Sequence, residues 1–199
     1  MRRVLLFDVM GTLVHDPFFE EVPAFFGVSF EALLPQLEPG PWVQFERGEI
    51  DQETLLRRFF RDGRAFDHAG LVACVRAAYR YLPGVEALLT DLSAACAGEG
   101  VSMHTLSNYP PWYRMIEERL RLSDYVLWSF VSCHTGVRKP DPEAYLGAAG
   151  ALGVAPAQCV FADDRGSNCE AAREVGMDTI RFEDAAQLRR ELRARGLRV

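Results

Sequence analysis

Short runs of apolar, β-branched and aromatic residues alternate with amphipathic stretches along most of the chain. This alternation predicts parallel strands joined by helices that pack on both faces of one sheet. The five expected strands are apolar on both faces, as buried parallel strands are, and span 3–8, 101–106, 126–132, 158–162 and 179–182. The five helices expected to accompany them span 83–97, 111–122, 141–152, 167–175 and 185–195.

One long segment, 15–82, breaks the alternation, because it shows helical periodicity and no strand pattern. Its four expected helices span 17–26, 29–37, 51–62 and 67–81. The sequence therefore predicts an α/β fold, a Rossmann-like parallel sheet with an inserted all-helical cap domain at 15–82. The core domain is then discontinuous and consists of 1–14 and 83–199.

The composition of the 199 residues, 49% hydrophobic and 25% charged, is typical of a globular protein. The net charge of -6 argues against nucleic acid or an anionic membrane surface as the main partner. No apolar stretch approaches the length of a membrane-spanning helix. We therefore expect a small-molecule substrate and a monomer or homodimer, with no nucleic-acid or membrane partner.

The cysteines indicate the compartment in which the protein works. The five of them are odd in number and include no CxxC pair, which argues against a disulfide framework or a zinc site. A reducing compartment fits best, and we expect the cytoplasm, or the plastid stroma if the chain is eukaryotic and processed.

Lys139 stands out among the 22 basic residues, because all the others are arginine. Lysine ends in a compact, rotatable ammonium, whereas arginine ends in a planar fork. A position that tolerated either residue would be expected to carry arginine in this chain. The exception therefore predicts a specific requirement for an ammonium at position 139.

Polar residues cluster after four of the predicted strands, in the segments 8–12, 105–108, 138–142 and 163–168. In an open parallel sheet, ligands bind at the carboxyl ends of the strands. Each cluster alone has an explanation in turn formation or helix capping. All four together, in this order, favour a functional site over turn chemistry.

In these residues and in their order along the whole chain, the sequence resembles the haloacid dehalogenase superfamily, including its helical-cap class. The resemblance implies that Asp8 is the nucleophile, which attacks phosphorus and becomes an acyl phosphate. It also implies that Ser107 donates a hydrogen bond to a transferring oxygen and that Lys139 stabilises the charge of the transition state. The implied reaction is the hydrolysis of a phosphate monoester.

The same resemblance implies a Mg²⁺ cofactor, which prefers six oxygen ligands and usually keeps several waters. Its implied protein ligands are the carboxylates of Asp8 and Asp164 and the backbone carbonyl of Met10. Asp163 and Asn168 are expected to support these ligands without touching the metal. The substrate-binding residues expected beside them are Asn108, Gly11 and Thr12.

Met10 departs from the superfamily's phosphatases, which carry a second aspartate at this position as general acid and base. A positioned acid or base is typically worth about 10²–10⁴ in rate. Turnover is therefore expected to be slow unless another residue transfers the proton. His15 and Asp16, at the start of the predicted cap, are the candidates for that role.

Two other functions stay open. A 2-haloacid dehalogenase would need no proton donor, because its leaving group is a halide, and the spacing of Lys139 and Tyr145 also fits that activity. The adjacent carboxylates of Asp163 and Asp164 argue against it, since they would repel each other strongly without a cation between them. The second alternative is a pseudoenzyme that keeps the fold and the metal site and serves as a binding protein.

Within the superfamily, four segments resemble the plant chloroplast flavin mononucleotide hydrolases: 7–26, 42–48, 59–66 and 108–113. The resemblance implies flavin mononucleotide (FMN) as a candidate substrate. The predicted cap is rich in aromatic residues, most of which a small helical domain needs for its own packing. Phe18 and Trp42 are the two expected to contact the substrate, where an aromatic ring can stack on isoalloxazine.

Overall fold

The computed structural model describes residues 3–199, and of Glu99 only the backbone. Residues 1 and 2 of the predicted core segment 1–14 lie outside the described residues. Five parallel strands form one sheet in the order β3-β2-β1-β4-β5. They are β1 (Val4–Phe7), β2 (Ser102–Ser107), β3 (Leu127–Val131), β4 (Cys159–Asp163) and β5 (Asp178–Arg181).

The central strand β1 pairs with β2 on one side and with β4 on the other, so that Phe7 lies opposite both Thr105 and Ala162. The chain builds β2 and β3 on one side of β1 and then returns to build β4 and β5 on the other side. The strand order therefore reverses beside β1, at the place where doubly wound sheets bind their ligands. The carboxyl ends of β1, β2 and β4 meet at this place.

Six helices accompany the sheet. They are α6 (Val85–Glu99), α7 (Tyr113–Leu120), α8 (Ser132–Thr135), α9 (Pro142–Ala151), α10 (Gly166–Glu174) and α11 (Ala185–Ala194). The predicted α/β class is confirmed, and every predicted strand and helix of this part occurs with both ends within two residues of the prediction. The single turn α8 was not predicted; it is only four residues long and ends at Gly136, whose φ is 73°.

Five helices lie between β1 and α6, and we call them together the helical segment. They are α1 (Glu21–Phe25), α2 (Phe30–Leu33), α3 (Pro41–Glu46), α4 (Gln52–Arg57) and α5 (His68–Ala78), with a 3-10 turn at Leu34–Gln36. Helix α3 was not predicted, because the run Pro39-Gly40-Pro41 is typical of a turn. Proline is tolerated in the first turn of a helix, where its missing N–H has no partner to lose, and Pro41 begins α3 in this way.

The helical segment packs on one face of the sheet through a continuous apolar core. Leu71 and Val75 of α5 and Phe45 of α3 belong to the same buried cluster as Leu5 and Phe7 of β1. A second cluster covers the other face of the sheet, where Val4, Leu6, Tyr145 and Phe161 are buried. Within residues 3–199, no helix is both long enough and apolar enough to cross a membrane.

Candidate active site

Asp8 and Lys139 form the centre of the candidate site. Asp8 directly follows β1 and is 7% exposed, and Lys139 is 3% exposed. The Lys139 ammonium lies 2.7 Å from Oδ1 of Asp8 and 2.6 Å from Oδ2 of Asp163. One buried cation thus bridges two carboxylates that come from the neighbouring strands β1 and β4.

The pKa values of these groups reflect an excess of negative charge. Burial raises the pKa of Asp8 to about 7; Lys139 opposes this shift, and Asp163 and Asp164 add to it. Burial alone would lower the pKa of Lys139, but the charges of Asp8 and Asp163 outweigh it, so that this pKa is raised and the ammonium stays charged. The site therefore holds a permanent cation and more carboxylates than that cation can neutralise.

Asn108 fixes the backbone of Lys139. Its Nδ2 donates a hydrogen bond to the Lys139 carbonyl at 2.7 Å, and its Oδ1 accepts one from the Lys139 backbone N–H at 2.8 Å. Asn108 was predicted to bind substrate, and it does line the cavity described below. Both polar atoms of its side chain, however, are already engaged with Lys139, so positioning that lysine is the role that its contacts describe.

Asp163 has hydrogen-bond partners on both oxygens and no exposed surface. Besides Lys139, it accepts hydrogen bonds from the Arg165 backbone N–H at 2.8 Å and from Asn168 Nδ2 at 3.1 and 3.0 Å. The Asp163 carboxylate therefore serves mainly to hold Lys139 in place. That Asp163 and Asn168 support the metal ligands without touching the metal stays a prediction.

Asp164 is held differently, because its Oδ1 is buried and has no hydrogen-bond partner among the described residues. Thr12 Oγ1 accepts a hydrogen bond from the Asp164 backbone N–H at 3.1 Å and lies 3.5 Å from Asp8 Oδ2. Gly11 has a φ of 81°, and a Cβ built on it would lie 3.0 Å from Cγ and Oδ2 of Asp164. Because Gly11 has no side chain, the Asp164 carboxylate has room to lie beside Asp8.

A divalent cation fits this arrangement. Asp8, Asp163 and Asp164 offer carboxylate oxygens that lie within 4.8 Å of one another. Buried charges are stable only when paired, and Oδ1 of Asp164 lacks a hydrogen-bond partner among residues 3–199. Oxygen atoms alone are the ligands that Mg²⁺ prefers. The residues present therefore fit the predicted metal.

Ser107 ends β2, and its hydroxyl is buried without a hydrogen-bond partner among the described residues. It lines a cavity of about 240 Å³ that it shares with Asn108 and Lys139. A buried hydroxyl without a partner costs free energy unless a ligand engages it. Ser107 is thus available to a ligand oxygen, but it does not line the cavity that Asp8 lines, and its contact with a transferring oxygen stays a prediction.

The cavity beside Asp8 has a volume of about 200 Å³ and lies between the sheet and the helical segment. Phe18 and Trp42, the two aromatic residues predicted to face the substrate, both line it, and their rings stack with centroids 5.9 Å apart and planes 25° from parallel. From residues 15–82, the side chains that line this cavity are Asp16, Phe18, Phe19, Trp42 and Glu46. From residues 3–14 and 83–199, the side chains that line it are Asp8, Met10, Asn108, Tyr109, Arg138, Lys139, Arg165 and Asn168.

Five residues of this cavity were missed by sequence reasoning: Phe19, Glu46, Tyr109, Arg138 and Arg165. Arg138 and Arg165 are sequence neighbours of the predicted site residues Lys139 and Asp164. Their positions in the sequence could therefore have identified them as residues of the site. Glu46 gave no signal, because it ends a helix that was not predicted. Of the two candidate proton-transfer residues, Asp16 lines the cavity, whereas the His15 imidazole pairs with Glu21 at 2.7 Å.

A family model described as haloacid dehalogenase-like hydrolase matches residues 3–176. The chloroplast flavin mononucleotide hydrolase 1 of Arabidopsis thaliana is 48% identical over 196 residues, which cover 98% of this chain and 78% of the relative. The sesquiterpene phosphatase astK of Aspergillus oryzae is 29% identical over 83% of this chain and 84% of its own length.

Solved structures show the same fold. A HAD family enzyme of Bacteroides thetaiotaomicron, crystallised with magnesium and inorganic phosphate, has a TM-score of 0.72 at 21% identity and covers 94% of this chain and 99% of its own. The L-2-haloacid dehalogenase of Xanthobacter autotrophicus has a TM-score of 0.66 at 20% identity and covers 98% of this chain and 83% of its own. At such identities the similarity concerns the fold alone.

Proposed function

Because this chain belongs to the haloacid dehalogenase-like hydrolases, we propose that it hydrolyses a phosphate monoester through an aspartyl-phosphate formed on Asp8. The enzyme class, a phosphomonoester hydrolase of that family, follows from the family match and from the relatives. The observation that carries the assignment of Asp8 is its bridge through Lys139 to Asp163, at 2.7 and 2.6 Å.

In the proposed reaction, a carboxylate oxygen of Asp8 attacks phosphorus, and the alcohol leaves from the opposite side. The Lys139 ammonium holds the Asp8 carboxylate in one orientation and places positive charge beside the oxygens of the transferring group. Ser107 donates its hydroxyl to one of these oxygens. Water then attacks the aspartyl-phosphate, which frees Asp8 and inorganic phosphate.

The residues proposed to hold Mg²⁺ are Asp8, Asp164 and the backbone carbonyl of Met10. When bound, the metal supplies positive charge to the phosphate and orients it towards Asp8. Asp163 keeps Lys139 in place, and Asn168 donates its amide to Asp163. Thr12 and Gly11 position the two carboxylates of the metal site, as their contacts with Asp8 and Asp164 describe.

The proposed substrate is FMN. The support is the 48% identity to a flavin mononucleotide hydrolase over almost the whole chain, together with the aromatic residues Phe18, Phe19 and Trp42 in the cavity. An isoalloxazine ring would stack on them, and the ribityl phosphate would reach Asp8. By this proposal the protein works in the cytoplasm, or in the plastid stroma if the chain is eukaryotic and processed.

The size of the cavity implies movement. Pockets that enclose a drug-sized ligand measure about 300–1,000 Å³, whereas the cavity beside Asp8 measures about 200 Å³. We propose that residues 15–82 form a cap domain that opens from a core of 1–14 and 83–199 to admit the substrate. Closure would then exclude water during the transfer.

One assay tests the proposed function. FMN, other alkyl phosphates, 4-nitrophenyl phosphate and 2-halo acids are incubated with the protein in Mg²⁺ and in EDTA, and phosphate or halide release is measured. Phosphate release from FMN that requires Mg²⁺ and is lost in Asp8→Asn is the expected result. Metal-independent halide release would make the protein a dehalogenase. Binding of FMN without turnover would make it a pseudoenzyme.

A further inference from the structure

A proton must reach the leaving oxygen of an alkyl phosphate, and the thioether of Met10 cannot supply it. We propose that Asp16 is the catalytic acid and base of this enzyme: it donates a proton to the leaving alcohol and later removes one from the attacking water. This inference rests on the proposed phosphatase function. It assigns the proton transfer to a residue that lies outside the polar clusters after the strands, in the loop before α1.

The other titratable groups of the cavity are already committed. Lys139 is held by two carboxylates. The Tyr109 hydroxyl shares a hydrogen bond with the Tyr79 hydroxyl at 2.7 Å, and burial raises the pKa of Tyr109 far above its ordinary value. Arg138 and Arg165 carry guanidinium groups, which offer no acceptor for a proton.

Glu46 is the competing carboxyl group; one of its oxygens accepts a hydrogen bond, and the other makes no hydrogen bond but forms an ion pair. Its Oε1 accepts a hydrogen bond from Trp42 Nε1 at 2.8 Å, and its Oε2 lies 2.5 Å from Nη2 of Arg138. A carboxyl group can donate a proton to a substrate only through an oxygen that faces that substrate. The contacts of Glu46 with Trp42 and Arg138 therefore leave it poorly placed for this task.

Asp16 has one oxygen held and one available. Its Oδ1 accepts a hydrogen bond from the Phe18 backbone N–H at 2.9 Å, which fixes the side chain at the cavity wall. Its Oδ2 has no hydrogen-bond partner among residues 3–199. Asp16 lines the same cavity as Asp8, and the loop that carries it follows Met10 by a few residues.

The surroundings of Asp16 favour its protonated form. Burial raises the pKa of Asp16; the Phe18 N–H, Arg165 and His15 oppose the shift, and Glu21 adds to it. The phenols of Tyr79 and Tyr109 also face the group and carry no charge, since burial raises both of their pKa values. The net shift is upward. Such a shift suits an acid that must hold its proton until the ester bond breaks.

The proposed step is balanced in two halves. As Asp8 bonds to phosphorus and the ester P–O bond breaks, the leaving oxygen takes the proton of the Asp16 carboxyl group and departs as an alcohol. The Asp16 carboxylate then takes a proton from water, whose oxygen bonds to phosphorus. The P–O bond to Asp8 breaks, which releases phosphate and restores a protonated Asp16 and an ionised Asp8.

The test is Asp16→Asn, assayed on FMN and on 4-nitrophenyl phosphate. The alcohol of FMN needs a proton to leave, whereas 4-nitrophenolate leaves without one. We expect kcat/KM for FMN to fall by about 10²–10⁴. With 4-nitrophenyl phosphate we expect a fast burst of nitrophenol equal to the enzyme present, followed by slow turnover. The phosphorylated enzyme should accumulate in that slow phase, visible by intact mass spectrometry, because the base is missing as well.

The pH profile gives a second readout that a purely structural role would not change. In the wild type, kcat/KM for FMN should fall as pH rises through the pKa of Asp16, because the acid loses its proton; in Asp16→Asn this limb should vanish. The matched control is Asp62→Asn. Asp62 likewise accepts a backbone N–H from two residues ahead, at 3.1 Å, but lies exposed and outside the cavity.

Three results would overturn the inference. One is an equal loss of kcat/KM towards both esters in Asp16→Asn, with no burst of nitrophenol. Another is the burst and the lost pH limb appearing in Glu46→Gln instead, which would give the proton transfer to Glu46. The third is normal FMN turnover in Asp16→Asn. A wild-type chain that hydrolyses neither ester would instead refute the proposed function, and the inference with it.

Discussion

The ammonium of Lys139 lies 2.7 Å from the carboxylate of Asp8, although 131 residues separate them along the chain. Two loops at the carboxyl edge of the sheet bring them together, and the Asn108 side chain holds the Lys139 backbone on both its N–H and its carbonyl. Lysine occurs once in this sequence, and it occurs here. The pairing explains why an ammonium is kept in a chain that otherwise uses arginine.

Lys139→Arg is the first prediction. The guanidinium is larger and planar, and the space that Lys139 fills is almost fully buried between two carboxylates. We expect kcat to fall by about 10²–10³, the loss typical of removing one electrostatic stabiliser, with the far-UV circular dichroism unchanged. The reverse exchange Arg189→Lys, in a half-exposed ion pair with Asp91, is the control and should leave kcat as it was. Near-normal turnover of Lys139→Arg would contradict the role of the ammonium.

Metal binding gives the second prediction. Because Asp8, Asp163 and Asp164 bring three carboxylates within 4.8 Å of one another, and the Lys139 ammonium bridges two of them, Mg²⁺ should stabilise the folded protein as well as activate it. At a Mg²⁺ concentration of 100 times its Kd, the gain in unfolding free energy should be about 2.7 kcal/mol. Thermal melts with and without EDTA measure it. In Asp164→Asn the stabilisation should largely disappear; a full response to Mg²⁺ in that variant would place the metal elsewhere.

The third prediction concerns Gly11→Ala. The new Cβ would lie 3.0 Å from the Asp164 carboxylate and would push it away from Asp8. We expect weaker Mg²⁺ binding, measured as a higher Mg²⁺ concentration at half-maximal activity. Gly153→Ala is the matched control: its φ of 65° carries a similar backbone strain of about 1–2 kcal/mol, but nothing lies within 4 Å of its added Cβ. Equal Mg²⁺ dependence in the two variants would show that the Asp164 contact is unimportant.

The sheet and its flanking helices could be predicted because their pattern is local. Each strand is a short apolar run, and the polar residues that follow it, such as Asp8 and Asp163, mark its end. Parallel pairing then forces these ends to one edge, so the three-carboxylate cluster follows from strand order alone. The sequence could not tell which carboxylates Lys139 would contact, since that depends on how two loops fold.

The helical segment was predicted less well for a physical reason. The expected helix 17–26 is helical only over Glu21–Phe25, and 51–62 only over Gln52–Arg57, because tertiary packing of aromatic rings replaces regular structure there. Phe26, for example, packs edge-on against Phe60 with ring centroids 5.0 Å apart. Such contacts join residues distant in sequence and leave no periodic signal. Glu46 escaped notice for a different reason, because it lies in α3, the helix that the Pro39-Gly40-Pro41 run hid.

The last prediction concerns the ion pair between Glu46 of α3 and Arg138 of the loop before α9, which joins the helical segment to the sheet part. The oxygen of Glu46 lies 2.5 Å from the guanidinium, and the two side chains are 7% and 24% exposed. Burial raises the pKa of Glu46, and Arg138 opposes that shift. In a double-mutant cycle of Glu46→Gln and Arg138→Met, measured by denaturant unfolding, we expect a coupling free energy of about 1–3 kcal/mol.

The exposed ion pair of Glu53 and Arg57 on α4 provides the comparison. Its side chains are 74% and 61% exposed, and Oε1 of Glu53 lies 2.9 Å from Nη1 of Arg57. Pairs of this type on a helix surface contribute only about 0.3–0.5 kcal/mol. A coupling at Glu46 and Arg138 no larger than that would mean that solvent screens the pair. The helical segment would then be held to the sheet by its apolar contacts and by hydrogen bonds such as the one from Trp112 Nε1 to Gln52 Oε1 at 2.6 Å. A larger coupling would mean that this ion pair must break whenever the proposed cap opens. Removing the ion pair should then speed product release and weaken substrate binding.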